Sequence, residues 1–187
     1  GKGSVQTVES LINLGNILFQ IDRYDEAAAY IAEAQAICEK ELPPDHPTTV
    51  ECLWLQLGND QLRGGDRRAI LAGIERVMKI YEGRPTSPVG MANAFAMRAM
   101  VRDELGEREE AIADIETALK HAELQRVLAS GGERERAKLF EDFLLVYSRA
   151  MVWHAEEGGD GIDAAFAIAE RMKARSFMDA LLTAGYD

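Results

Sequence analysis

Few residues in this chain are of a type that could do chemistry: Cys38, Cys52, His46, His121 and His154. A thiolate beside an imidazole would make a nucleophile, and histidines with cysteines at short spacing would hold zinc. Neither pattern forms. Cys38 and Cys52 lie about equally far from Pro43-Pro44-Asp45, so antiparallel helices on either side of that turn would bring them near each other. Two cysteines make no disulfide framework, and they read as reduced, partly buried thiols. His46 precedes Pro47 and reads as a turn and capping residue. His121 and His154 fall on helical stretches, and the cysteines lack the glycine-rich, strand-end setting that a Cys/His hydrolase would use. Each glycine pair (Gly64-Gly65, Gly131-Gly132, Gly158-Gly159) separates two helical runs and cradles no phosphate. Glu107, Glu109 and Glu110 stand where a helix begins, and acids there complement the helix dipole. The residues therefore support no catalytic, metal or cofactor site, and any catalytic domain would lie outside the chain.

Helices alone account for the rest. In the stretch 11–39, Leu11, Leu14, Leu18 and Ile21 recur at helical spacing, as do Ala27, Ile31, Ala34 and Ile37. Asp22-Arg23-Tyr24-Asp25 separates the two runs, with Asp25 placed to cap the second. Gly15 sits mid-helix, where glycine costs about 1 kcal/mol relative to alanine, so a close helix contact is expected there. The pattern returns 43 positions later, Leu57-Gly58-Asn59 repeating Leu14-Gly15-Asn16. In this copy Ile70, Ile74 and Val77 take the places of the small residues. A third copy runs from Met91 to Glu123, with Ala99 in the glycine position and Ala111, Ile115 and Ala118 beyond the break at Leu105-Gly106-Glu107. Glu133 to Glu157 and Ile162 to Thr183 form a last pair of helices, joined by Gly158-Gly159-Asp160-Gly161. Pro47 suits a first helical turn, and Thr48 with Glu51 offers a capping box.

The Leu-Gly in the first helix and the Ala-bulky-Ala ladder in the second resemble the tetratricopeptide repeat (TPR). The Asp45-His46-Pro47 linker resembles that of the longer, kinesin-light-chain type. The resemblance implies an all-α TPR-type solenoid of antiparallel helix pairs forming a right-handed superhelix. One domain over 1–187 is expected, with repeats at about 5–41, 47–82 and 89–130 and a terminal pair at about 133–184. The chain then reads as part of a longer protein. Ala169-Glu170-Arg171, Lys173-Ala174-Arg175-Ser176 and Asp179-Ala180-Leu181-Leu182 resemble the helix that closes the arrays preceding CHAT domains, which are caspase-like proteases.

In TPR arrays the first helix of each pair lines a groove that binds partners. The resemblance places Asn13, Asn16 and Gln20, then Gln56, Asn59 and Arg63, then Met97, Met100 and Glu104 on that inner face. The triplets share 3 and 4 spacing, and amides, which donate and accept, suit a peptide backbone. The carboxylate clamp of chaperone-binding TPR domains is not repeated. Asn16 fits it, but Ile12, Gln56, Asn93 and Met97 stand where that family has Lys, Asn, Lys and Arg. Apolar residues spread widely around the last helix, so Phe177, Met178 and Leu182 are expected to form an interaction surface for a protease domain in the same polypeptide or a second copy of the chain.

The chain has 187 residues and a formal charge of −11, from 32 acidic and 21 basic residues. Nucleic acid and anionic membranes both call for a basic face, so neither is an expected partner. No apolar run reaches the ~18 residues of a membrane span, and no secretory signal is visible. The resulting expectation is a cytoplasmic protein- or peptide-binding module that regulates a CHAT-type protease. A free-standing kinesin-light-chain-like scaffold is the alternative, and a Cys/His hydrolase the third.

Overall fold

The structure is a computed structural model. It describes the backbone of residues 2–82, 88–128 and 132–183, and the side chains of these except 2–4, 88–89, 126–127, 132–142 and 174–183. The described residues form eight α-helices and no strand. They divide into two compact units, Gly1–Arg84 and Pro85–Asp187.

The first unit contains α1 (Lys2–Gln20), α2 (Tyr24–Glu41), α3 (Pro47–Leu62) and α4 (Arg67–Glu82). Val8, Ile12, Leu18, Ala27, Ile31, Ala34, Cys38 and Cys52 make one buried cluster from α1, α2 and α3. Gly15 lies within this packing. A Cβ there would stand 3.2 Å from Leu55 Cδ2 and 3.3 Å from Ile31 Cγ1. At Gly58, the register partner of Gly15, the nearest atom would be Phe19 Cε2 at 3.8 Å, an ordinary contact, so that glycine is not forced by crowding. The larger ladder of the second repeat is fully used, since Ile70, Ile74 and Val77 are all buried. Gly73 supplies the close approach instead, opposite Leu57, and Trp54 Nε1 donates to Tyr81 Oη at 2.7 Å to tie α3 to α4.

Two capping expectations change. Asp25 lies inside the first turn of α2, whose N-cap is Arg23 with no side-chain cap, and the acid is used in an ion pair with Arg63. His46 caps α3, its Nδ1 accepting from the Thr48 N–H at 3.2 Å with Pro47 in the first turn. The imidazole does the work assigned to the Thr48–Glu51 box, and Thr48 is itself buried. The apolar face of α1 also shifts. Val8, Ile12, Gly15 and Leu18 are buried, whereas Leu14, Ile17 and Ile21 are 38%, 57% and 54% exposed. Among the described residues α2 and α3 pack on α1 within this unit, and they leave that side open.

The second unit contains α5 (Pro88–Glu104), α6 (Arg108–Leu128), α7 (Gly132–Glu157) and α8 (Asp160–Thr183). Its core joins Ala92, Ala96 and Ala99 of α5 to Ala111, Ile115 and Ala118 of α6, and to Phe143, Tyr147, Ala150 and Trp153 of α7 with Ile168 of α8. Alanines on both α5 and α6 let these helices pack closely. Gly161 lies in the first turn of α8, where a Cβ would meet the His154 carbonyl oxygen at 2.3 Å, so the α7–α8 turn admits only glycine there.

Candidate functional site

In the first unit the amides of α1 stand at the surface. Asn13 and Gln20 are exposed and Asn16 is half-buried. Among the described residues none of the three has a hydrogen-bond partner. Their register copies on α3 are placed differently: Gln56 is half-buried, Asn59 buried and Arg63 exposed. Gln35 Nε2 of α2 donates to Gln56 Oε1, and Arg63 Nε donates to Asp25 Oδ1 at 2.8 Å. Cys52, on the same face, lies 3.7 Å from the Ile31 carbonyl oxygen. Asn59 is only 1% exposed, with its Oδ1 unpartnered. The face that α1 leaves open is, on α3, packed against α2.

On α5, Met97 and Met100 are half-buried and Glu104 is exposed. The strongest polar feature of this helix lies on another face. Arg98 makes a two-point contact with Asp114, at 2.8 and 2.6 Å, and Arg102 Nη1 reaches the same carboxylate at 2.7 Å. Asp114 is buried, so these charge-assisted bonds form a clasp between α5 and α6. Arg98 also lies over the Phe95 ring, which stacks on His121.

A cleft of about 550 Å³ opens between α6 and α8, floored by α7. Leu119, Ala164, Ala167 and Ile168 line it, together with Lys120, Arg171 and the buried His154. His154 Nε2 is 3.2 Å from Glu116 Oε1 and its Nδ1 3.9 Å from Glu157 Oε2, while Tyr147 Oη donates to Glu123.

Residues 7–48 match a tetratricopeptide-repeat family model, and residues 92–122 match a second one. These are tetratricopeptide repeats. The fold agrees with crystal structures of TPR-like repeats. One is of a Podosopora anserina protein assigned as a kinesin light chain with nearly identical repeats. It is 16% identical, covers 92% of this chain and 96% of that one, and superposes with a TM-score of 0.56. A single-substitution variant of the same protein is 15% identical over 95% and 97% of the two chains, with a TM-score of 0.55. No curated protein matches the chain.

Within the TPR frame the thiols and imidazoles have structural surroundings. Cys38 and Cys52 are free and buried. Burial pushes the Cys38 thiol up, and burial with the neighbouring Cys38 pushes Cys52 up to about 12. Both stay protonated at neutral pH, and a protonated thiol is no nucleophile. No group of three or more metal-ligating side chains occurs among the described residues, and no described helix is long and apolar enough to cross a membrane. Phe177, Met178 and Leu182 lie outside the residues whose side chains are described. The α6–α8 cleft and the Asp114 clasp were not singled out from sequence. Asp114 carried one signal, a lone acid beside the Ala111-Ile115-Ala118 ladder.

Proposed function

We propose that the chain is a protein- or peptide-recognition module whose primary contact surface is the open face of α1 that carries Asn13, Asn16 and Gln20. The observation that carries this is the open face itself. Asn13, Asn16 and Gln20 present unpartnered amides, and Leu14, Ile17 and Ile21 expose apolar surface beside them on the same helix. Amides that fix orientation next to apolar area that supplies affinity is the usual composition of an interface. The seating of α2 on the register-equivalent face of α3 supports the reading, because it shows the same positions accepting a packed segment. Half-buried Met97 and Met100 with Glu104 offer a further contact on α5.

The finer reading is that this module serves as the cytoplasmic regulatory part of a CHAT-type protease in the same polypeptide. The resemblance of Ala169 to Leu182 to the closing helix of such arrays supports it. So do Ile162 and Phe166, 58% and 66% exposed on α8, which a neighbouring domain or second copy would cover together with Phe177, Met178 and Leu182. The test replaces Asn13, Asn16 and Gln20 by alanine in the full-length protein and measures affinity for a partner captured through a photo-crosslinker at Ile17. Three lost hydrogen bonds should weaken binding about tenfold or more, with helicity intact. Unchanged affinity moves the site off α1, and a reading frame that ends without a protease domain leaves a free-standing scaffold.

A further inference from the structure

Within each unit the second helix of one pair packs on the first helix of the next, α2 on α3 and α6 on α7. Two further faces match the halves of that joint and stand exposed. One is the face of α1 that carries Asn13, Asn16 and Gln20, the register copies of Gln56, Asn59 and Arg63 on α3, where α2 is seated. The other is on α8. Its Ala164, Ala167, Ile168 and Arg171 line the cleft towards α6. At about 100° of turn per residue, Ile162 and Phe166 fall on the opposite side of the helix, where they are 58% and 66% exposed.

The α2–α3 joint sets the direction. Asp25 pairs with Arg63 and Gln35 with Gln56, so α2 runs antiparallel to α3. A helix seated on α1 in the same way would run from beside Gln20, past Ile17, to beside Glu9. Helix α8 meets these positions with matching chemistry. Opposite Ile17, itself 57% exposed, it offers Ile162 and Phe166. Lys173, also exposed, lies seven residues beyond Phe166, and the exposed Glu9 lies eight residues before Ile17. At roughly 1.5 Å per residue those spans are about 10 and 12 Å. The apolar contact and the opposite-charge pair therefore fall in register together.

We propose, resting on the reading of α1 as the contact surface, that its occupant is α8 of a second copy of this chain, so that chains join head to tail. Ile162 and Phe166 of one copy are withdrawn from water against Ile17 of the next, and Lys173 answers Glu9. The two faces differ, so the contact is heterologous. Chains close into a ring where the rotation permits and otherwise extend as a row.

Sedimentation velocity of the whole chain over a concentration series reads the assembly. The mass should rise above the 20.7 kDa of one chain as concentration increases. Ile17→Asp and Phe166→Asp, both at exposed positions, should each hold the chain monomeric with helicity intact. Mixed in equal amounts, the two variants should form a dimer and nothing larger, because each supplies the face that the other has lost. Two misfolded variants could not rescue each other in this way. At low salt Glu9→Lys and Lys173→Glu should each weaken association about twofold to fivefold, and both changes in one chain should restore it. A chain that stays monomeric up to about 1 mM, assembly indifferent to Ile17→Asp and Phe166→Asp, or a mixture that stays monomeric overturns the proposal. If the chain is monomeric while Asn13→Ala/Asn16→Ala/Gln20→Ala still weakens binding of the partner captured at Ile17, α1 remains the contact surface and only its occupant is wrong. If that binding is unaffected too, both readings fall.

Discussion

Asn59 and Gly15 show how one side chain can be placed against its own chemistry. Asn59 is fully enclosed and its Oδ1 has no partner, which leaves the desolvation of that acceptor uncompensated, a penalty of about 1–3 kcal/mol. Asn59→Leu, which keeps the branched shape, removes the orphan and should raise the denaturation midpoint. Gly15→Leu should act in the opposite direction. A Cβ alone would already press on Leu55 and Ile31, so the larger side chain should cost about 1–3 kcal/mol through overpacking. Chemical denaturation of the two variants reads both signs at once. An Asn59→Leu variant less stable than the parent would mean that the amide has a partner, such as water, on which the packing depends. The sequence showed the glycine contact directly, because a mid-helix glycine between ladder residues needs a packing reason. It could not show that Asn16 and Asn59, identical in register, would be half-open on α1 and enclosed on α3. That difference depends on which helix precedes each in space.

At the scale of helices, periodicity was legible and boundary detail was not. The second helix occupies Tyr24–Glu41 as read, and the breaks at residues 64–66 and 105–107 fall between helices. The start of α5 moves from Met91 back to Pro88, as a proline tolerated in a first turn allows. Leu14, Ile17 and Ile21 fit helical spacing as well as the buried residues do, so pattern alone does not say which stripe is covered. The Asp114 clasp was hidden for a related reason. Its partners Arg98 and Arg102 lie 16 and 12 positions earlier, on a helix whose rotation no local signal sets. Asp114→Ala would leave two guanidinium groups, each about one-fifth exposed, without their shared acceptor. Breaking a buried pair on one side costs about 3–5 kcal/mol, and the access of these arginines to water places this case near 3 kcal/mol. Asp114→Asn should retain part of the geometry and lose less. If thermal unfolding shows the alanine variant within about 0.5 kcal/mol of the parent, a value typical of surface changes, the clasp is ornamental.

For the whole molecule, the division into Gly1–Arg84 and Pro85–Asp187 has an energetic basis within each part. TPR stability is approximately a sum of helix-pair terms and nearest-neighbour interfaces, and each unit holds two pairs with an interface between them. The first unit has the Val8-Ile12-Ile31-Cys52 cluster, and the second the Ala99-Ile115-Tyr147-Trp153 cluster. Each part falls within the range of ordinary domains, large enough to bury a core of its own. Residues 1–84 and 85–187, produced separately, should therefore each be helical by circular dichroism and unfold cooperatively. The second should be the more stable, because its core, drawn from all four of its helices, carries large aromatic side chains and the Asp114 clasp, while the first buries the unpartnered Asn59. Hydrogen exchange of the intact chain gives an independent reading, with slower exchange expected in α5–α7 than in α3–α4. Two fragments that are both unfolded would mean that neither core suffices alone. Stability would then propagate along the whole array, and the α1 face and the α6–α8 cleft could be studied only in the full chain.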